Sequence, residues 1–214
     1  MPHDPFAWVA IAGAALATPI LLWYLIRRPP LNRGTKVMML LGVGVFPLLT
    51  AGSGNYSGFE ATKQRTFCGS CHVMTPYLTD VTDPASHSLA AVHSRNEMFG
   101  QQSCYTCHAD YGMFGTVVTK MGGLRHVYEY TFHYRNMSLA DAREKIHIRK
   151  PFPSSTCRRC HSTAAPGWNK VVDHAGLVDE LRAGEVHCLG SGCHGPSHPF
   201  AKATDLSKAP GETP

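Results

Sequence analysis

The sequence predicts a mainly α protein in which two transmembrane helices precede a small, loop-rich domain of short helices. Two uncharged apolar runs stand near the N-terminus, from Phe6 to Ile26 and from Val37 towards Phe59. Beyond about Glu60 there is no long hydrophobic run and no persuasive strand pattern, and Gly and Pro interrupt the chain often. All eight cysteines fall into four pairs, each closed by a histidine. Aromatic residues are only 9% of the 214, so something other than large side chains must fill much of the interior.

Phe6 to Ile26 is long enough to cross a hydrocarbon layer of about 30 Å as a helix. Pro19 is compatible with this, because helices in lipid tolerate proline better than soluble ones, and Trp23 and Tyr24 suit an interface. A cleaved signal peptide is the rival reading. Against it, Met1 to Pro5 lacks a basic region, and Arg27-Arg28-Pro29-Pro30 stands where small residues would mark a cleavage site. The second run is densely apolar only to Ala51, so the span expected over about 37–57 takes in the Gly/Ser portion as its outer end. A buried core helix is the alternative. Arg27, Arg28, Arg33 and Lys36 lie between the spans without an acid, which makes this loop cytoplasmic and leaves both chain ends outside. The modest excess of basic residues therefore argues for membrane orientation, and no nucleic-acid motif accompanies it.

The resulting organisation is a membrane anchor over 1–59, a domain over 60–200 and a polar, poorly ordered tail over 201–214. Within the domain, Asp83-Pro84 is expected to open a helix carrying His87 and His93. A second helix is expected from Met113 to roughly Tyr134, with Gly122-Gly123 as a point of interruption. Ser138 and Asp141 resemble a capping box for a helix that ends before Pro151 and presents His147. A last helix is expected over Val171 to Arg182, carrying His174 and stopped by Gly184.

The chemistry lies in the cysteine pairs. Cys68-Gly69-Ser70-Cys71-His72, Cys104-Tyr105-Thr106-Cys107-His108 and Cys157-Arg158-Arg159-Cys160-His161 share the CxxCH spacing, in which two thiols form thioethers to haem vinyl groups and the histidine faces the iron. Cys188 and Cys193 are separated by four residues, and the glycines in that gap let both thiols reach one ring before His194. Structural zinc is the main rival, but it does not explain a histidine directly after every second cysteine. The domain is thus expected to be a multihaem c-type cytochrome with four covalent haem c groups. Each low-spin iron needs a sixth ligand, and histidine outside the motifs is the natural supply. Such closed positions argue against bond-breaking catalysis at a haem.

The span from about Val37 to Phe200 resembles the NapC/NirT/NrfH family of membrane-anchored tetrahaem cytochromes, which take electrons from membrane quinol and pass them to periplasmic reductases. The most specific piece is the CxxCHxM form of the first motif, similar to members in which the methionine, here Met74, ligates the first iron in place of the motif histidine. On the residues alone, His72 remains the other choice. A thioether ligand would raise the potential of that haem. The resemblance further implies His93, His147, His174 and His198 as distal ligands, with His87, His126, His133 and His187 in reserve. It implies a quinol pocket beside the first haem at Lys120, twelve residues after His108, but the family's acidic residue seven places on is Val127 here. His126 is then expected to replace that acid as proton acceptor or to ligate the first iron.

The family implies a bacterial inner-membrane location with the haem domain in the periplasm, the quinone pool (menaquinol or ubiquinol) as donor and a periplasmic reductase or cytochrome as partner. The first motif begins only nine residues after Phe59, so its haem is expected near the outer membrane boundary. The extra N-terminal span departs from the usual single anchor, and its small-residue patch of Gly13, Ala14, Ala15 and Ala17 suits close packing, including against another membrane subunit. The alternative function is an electron-wiring subunit without its own quinone site.

Overall fold

The computed structural model describes residues 4–146, 152–190 and 192–199. Among them the chain is helical with no strand, and it divides into two compact units, Met1–Lys63 and Gln64–Pro214.

The first unit holds two helices long and apolar enough to cross a membrane, α1 (Pro5–Arg27) and α2 (Arg33–Ala61), with mean hydropathies of 2.1 and 1.8. Asp4 caps α1 by accepting from the Phe6 amide at 2.9 Å, and Pro19 leaves the helix continuous. The helix stops where Arg28 turns left-handed (φ 41°) ahead of Pro29-Pro30. Asn32 then caps α2, accepting from the Thr35 amide at 2.9 Å. This second helix exceeds the expected 37–57 at both ends, since the cap precedes the apolar run and the Gly/Ser portion stays helical. There Ser53 and Asn55 donate back to the carbonyls of Leu49 and Ala51 at 2.5 and 2.6 Å. Over Leu40–Val45 the helix widens into a π segment just before Pro47, whose ring would clash with the carbonyl four residues back in a regular helix.

Small residues let the two helices touch. A Cβ at Gly13 would fall 2.5 Å from Thr50 Oγ1 and 3.1 Å from the Phe46 carbonyl, and one at Gly42 would meet Ile20 at 2.5 Å. Thr50 Oγ1 donates to the Ala10 carbonyl at 3.3 Å, and Phe6 packs on Tyr56 with ring centres 4.6 Å apart. Gly13 and Ala17 are therefore buried within the chain itself, and only Ala14 and Ala15 of the small-residue patch remain exposed.

The second unit strings together short helices: α3 (Arg65–Cys68), α4 (Thr75–Thr82), α5 (Leu89–Ser94), α6 (Ser103–His108), α7 (Gly115–Glu129), α8 (Leu139–Lys145), α9 (Ser154–Arg158) and α10 (Val178–Ala183). Asp83 does not open a helix as expected. It ends α4, and its carboxylate accepts from the Ala85 amide at 2.8 Å, the local turn that aspartate favours. The helix starts after Ser88, which accepts from the Ala91 amide at 3.0 Å, so His93 is helical and His87 is not. Gly122-Gly123 leave α7 unbroken, and it continues as a π segment over Tyr130–Tyr134. Ser138 caps α8 as expected, accepting from the Asp141 amide at 3.1 Å. The helix expected over Val171 to Arg182 is instead a 3-10 turn at Val172–His174 followed by α10, because Gly176 takes φ 83° between them. Gly184 ends α10 at φ 75°. His147 and the tail over 201–214 lie outside the described residues.

Gly13→Leu is expected to lower stability by about 1–3 kcal/mol, the usual cost of overpacking a close contact. Gly52→Leu, with nothing within 4 Å of the new Cβ, is expected to cost nothing. Thermal unfolding in detergent, followed by far-ultraviolet circular dichroism, compares the two.

Candidate haem-binding site

The second unit has little apolar core of its own. Its buried apolar side chains are Val73, Val81, Ala91, Ala109, Ala142 and Leu181, and no large side chain is fully buried among the described residues. Polar ties hold the first two motif regions together instead. Arg65, at the start of α3, donates to Ser94 Oγ at 2.5 Å and to Gln101 Oε1 at 3.3 Å, while Ser103 donates to Ser94 at 3.2 Å. Gly69 lies so close to the Leu78 side chain that a Cβ there would force that side chain to move.

No disulfide joins any of the eight cysteines, which are thiols until haem is attached, and the four motifs meet at them in chain order. Cys68 shares a hydrogen bond with Cys104, and Cys157 shares one with Cys188. Cys107 and Cys160 are near enough for their charges to interact. In each bonded pair one thiol is eased and the other hindered, as expected when two acids share a proton. Cys104 is pushed down to about 7 and Cys188 to about 6, first by the hydrogen bonds from Cys68 and Cys157, while Cys68 and Cys157 are pushed up. Among the described residues no group of three or more His, Cys, Asp or Glu converges as tetrahedral zinc requires.

Two pairs of histidines face each other across a gap of the width that one metal ion would need. Two imidazoles on opposite sides of one metal, each at about 2 Å, have ring centres about 6 Å apart. His93 and His161 are 5.9 Å apart, and His174 and His194 are 6.0 Å apart. His93 Nδ1 is hydrogen-bonded to the Leu89 carbonyl at 2.8 Å, which fixes the proton there and leaves Nε2 free. His174 stacks on Trp168 at 4.1 Å, and its Nδ1 is buried with no partner. His187 Nδ1 is likewise buried and unpartnered.

His108 feels both His198 and His126. Part of its surface is open, yet atoms crowd the ring, and this desolvation first, then repulsion from the two histidines, lowers its pKa to about 4. It is therefore a neutral imidazole, the ligating form. His198 Nδ1 lies 2.8 Å from the carboxylate of Asp80, and its ring meets Tyr77 edge-on at 5.0 Å. Asp80 also accepts from Ser86 and Ser88 at 2.6 and 2.8 Å. Burial alone would raise its pKa, but the bonds from Ser86, His198 and Ser88 outweigh that and hold it below the ordinary carboxylate value. Since Ser88 also caps α5, one carboxylate joins the His198 segment to the helix bearing His93. The Ala90 amide reinforces the joint by donating to the Ser197 carbonyl at 3.0 Å.

The first motif differs. Both ring nitrogens of His72 are engaged, Nε2 with the Met137 carbonyl at 3.1 Å and Nδ1 with the Tyr130 hydroxyl at 3.4 Å. Met74 instead shares a hollow with Cys68, Tyr77, Leu78 and Cys104. Lys120 sits with Nζ 5.2 Å from the ring centre of Tyr105, inside the second motif, so both Lys120 and His126 lie by that motif.

Asp80, Tyr130 and Trp168 take part in this arrangement although nothing local in the sequence marks them. Each acts on a histidine that is distant in the chain or in an irregular turn.

A coreless domain with four CxnCH motifs, opposed imidazoles and an orphaned buried ring nitrogen fits covalent haem, and together with two apolar helices it defines a membrane-anchored c-type cytochrome. The chain belongs to the NapC/NirT cytochrome c family, whose model (described as the family's N-terminal region) matches residues 31–202. It is also similar to the cytochrome c nitrite reductase subunit NrfH of Nitratidesulfovibrio vulgaris (strain Hildenborough), 28% identical over 136 residues covering 61% of this chain and 72% of that protein. No solved structure matches it. Membership makes this an electron-transport protein with covalently bound haem c.

Asp80→Ala leaves two serines and a histidine without their buried partner, and is expected to cost about 2–4 kcal/mol. Chemical denaturation of the purified protein measures it, and a change within experimental error would show that the carboxylate is not the joint.

Proposed function

We propose that this protein oxidises membrane quinol and passes the electrons through four haem c groups to a periplasmic reductase or cytochrome. The observation that carries this is the unbroken adjacency of the motifs, Cys68 to Cys104, Cys107 to Cys160 and Cys157 to Cys188, which forms a row suited to stepwise electron transfer. The family and the NrfH relative support the same reading. The basic loop of Arg27, Arg28, Arg33 and Lys36 supports a cytoplasmic loop and hence a periplasmic domain at the bacterial inner membrane.

Bound haem supplies reversible one-electron chemistry at its iron. His161 with His93 and His194 with His174 are assigned as ligand pairs from their spacing, and His108 with His198 from their proximity. Met74 is assigned to the first site, because the ring of His72 is tied to Met137 and Tyr130. His126, beside His108, is then available to accept a quinol proton, and Lys120 to donate a hydrogen bond to the headgroup oxygen.

Two measurements test this. Stopped-flow mixing of a menaquinol analogue with protein in lipid discs is expected to reduce the haems rapidly. Lys120→Ala is expected to slow that step about tenfold, the loss of one charge-assisted hydrogen bond of about 1.5 kcal/mol. Intact, dithionite-reducible haems that neither menaquinol nor ubiquinol analogues reduce would instead identify an electron-wiring subunit. Met74→His is expected to lower the potential of one haem by on the order of 100 mV, within the ~0.8 V range that axial ligands span. A redox titration in which all four potentials stay fixed would return the ligand role to His72.

A further inference from the structure

The longest helix of the second unit, α7 with its π extension, carries two faces of opposite character. Thr119, His126 and Tyr130 recur at seven and then four residues and so share one face. This face is fastened to the haem domain. The Asp110 amide donates to Thr119 Oγ1 at 2.7 Å, Tyr130 meets His72 at 3.4 Å, and His126 is felt at His108. The opposite face is apolar. Phe114, Val117, Met121, Leu124, Tyr128 and Phe132 follow one another at spacings of three or four residues, and each is between 54% and 68% exposed. Six large apolar side chains in one unpartnered line are far more than scattered surface hydrophobics, and such a line marks an interaction surface.

We propose that this apolar face lies in the headgroup–acyl boundary of the bilayer, so that the helix is an interfacial membrane helix in addition to the two spans. The covalent chain limits where it can be. His72 comes eleven residues after Ala61, the end of the second apolar helix, and an extended chain of that length reaches at most about 40 Å. Tyr130 is bonded to His72, so the helix is confined to the vicinity of whatever surface holds that end. A tether of this kind keeps the local lipid concentration high without a specific partner. Charge agrees in sign: Arg125 is paired with Glu129 at 3.6 Å and Lys120 lies over Tyr105 of the domain, which leaves the exposed Arg135 at the end of the helix as the cation that suits anionic headgroups. The pattern of apolar and aromatic residues on one side with basic residues beyond it is that of a helix lying in an interface. None of this depends on whether the protein oxidises quinol.

The test uses the full-length, haem-loaded protein in vesicles of phosphatidylethanolamine and phosphatidylglycerol. A photoreactive p-benzoylphenylalanine replaces Leu124 on the apolar face or Thr116, an exposed residue off it, and adducts are identified by mass after illumination. The expected result is a several-fold excess of phospholipid adducts at position 124 over position 116. Adducts at 124 with a second polypeptide would overturn the proposal in favour of a protein interface, and adducts with haem would show that the face packs on the cofactor. Equal labelling at the two positions, or none at 124, would show that the face meets water. Phe132→p-benzoylphenylalanine, aromatic for aromatic, repeats the measurement should the Leu124 variant fail to load haem, and the same outcomes decide.

Discussion

A protein domain with so few buried apolar side chains among its described residues must be held by something other than packing among them. In the second unit the buried apolar groups are mostly alanine and valine, and most helices run for eight residues or fewer. Isolated helices of that length are marginal in water. The covalent cofactors of a c-type cytochrome resolve this, because each thioether-linked ring brings a large apolar surface fixed at two points of the chain. The same rings explain why the motif cysteines lie side by side while no disulfide joins them. Attachment chemistry and folding thus use the same residues.

What positions the histidines is a set of polar anchors outside the motifs. The Leu89 carbonyl fixes one nitrogen of His93, Asp80 fixes one of His198, and Met137 with Tyr130 holds the ring of His72. Hydrogen bonds of this sort choose the tautomer and orient the ring, and a carboxylate partner also raises the basicity of the free nitrogen. Asp80 does more than orient, since Ser86 and Ser88 bring the start of α5 to the same carboxylate. Removing it would disturb two proposed ligands, one on each side of that joint.

The membrane unit depends on a different constraint. In lipid no hydrophobic effect drives helices together, so contact requires small residues and occasional hydrogen bonds. Gly13 against Thr50 and Gly42 against Ile20 supply the close approach, and Thr50 bonds across to Ala10. Two of the four small residues that suggested an external partner are consumed by this internal contact. The π segment before Pro47 solves a local problem in the same helix, moving hydrogen bonds to accommodate a residue that can neither donate nor tolerate the carbonyl behind it.

The sequence alone determined the parts whose cause is local. Two helices long and apolar enough to span a membrane and a c-type cytochrome domain follow from apolar length and from thiol spacing, because a thioether pair and a membrane crossing each need only a short contiguous stretch. The Ser138 cap and the Gly184 stop were legible for the same reason. The helix starts at Asp83 and Val171 were misread where a turn-forming aspartate and a glycine at positive φ outcompeted the helical pattern. Only the tertiary structure decided which histidine meets which. His93 reaches His161 and His198 reaches Asp80 across long stretches of chain, and no periodicity encodes an encounter between segments that distant. The same holds for the apolar line on α7. Its spacing is written in the sequence, but only the contacts of Thr119 and Tyr130 reveal that this side of the helix faces away from the domain.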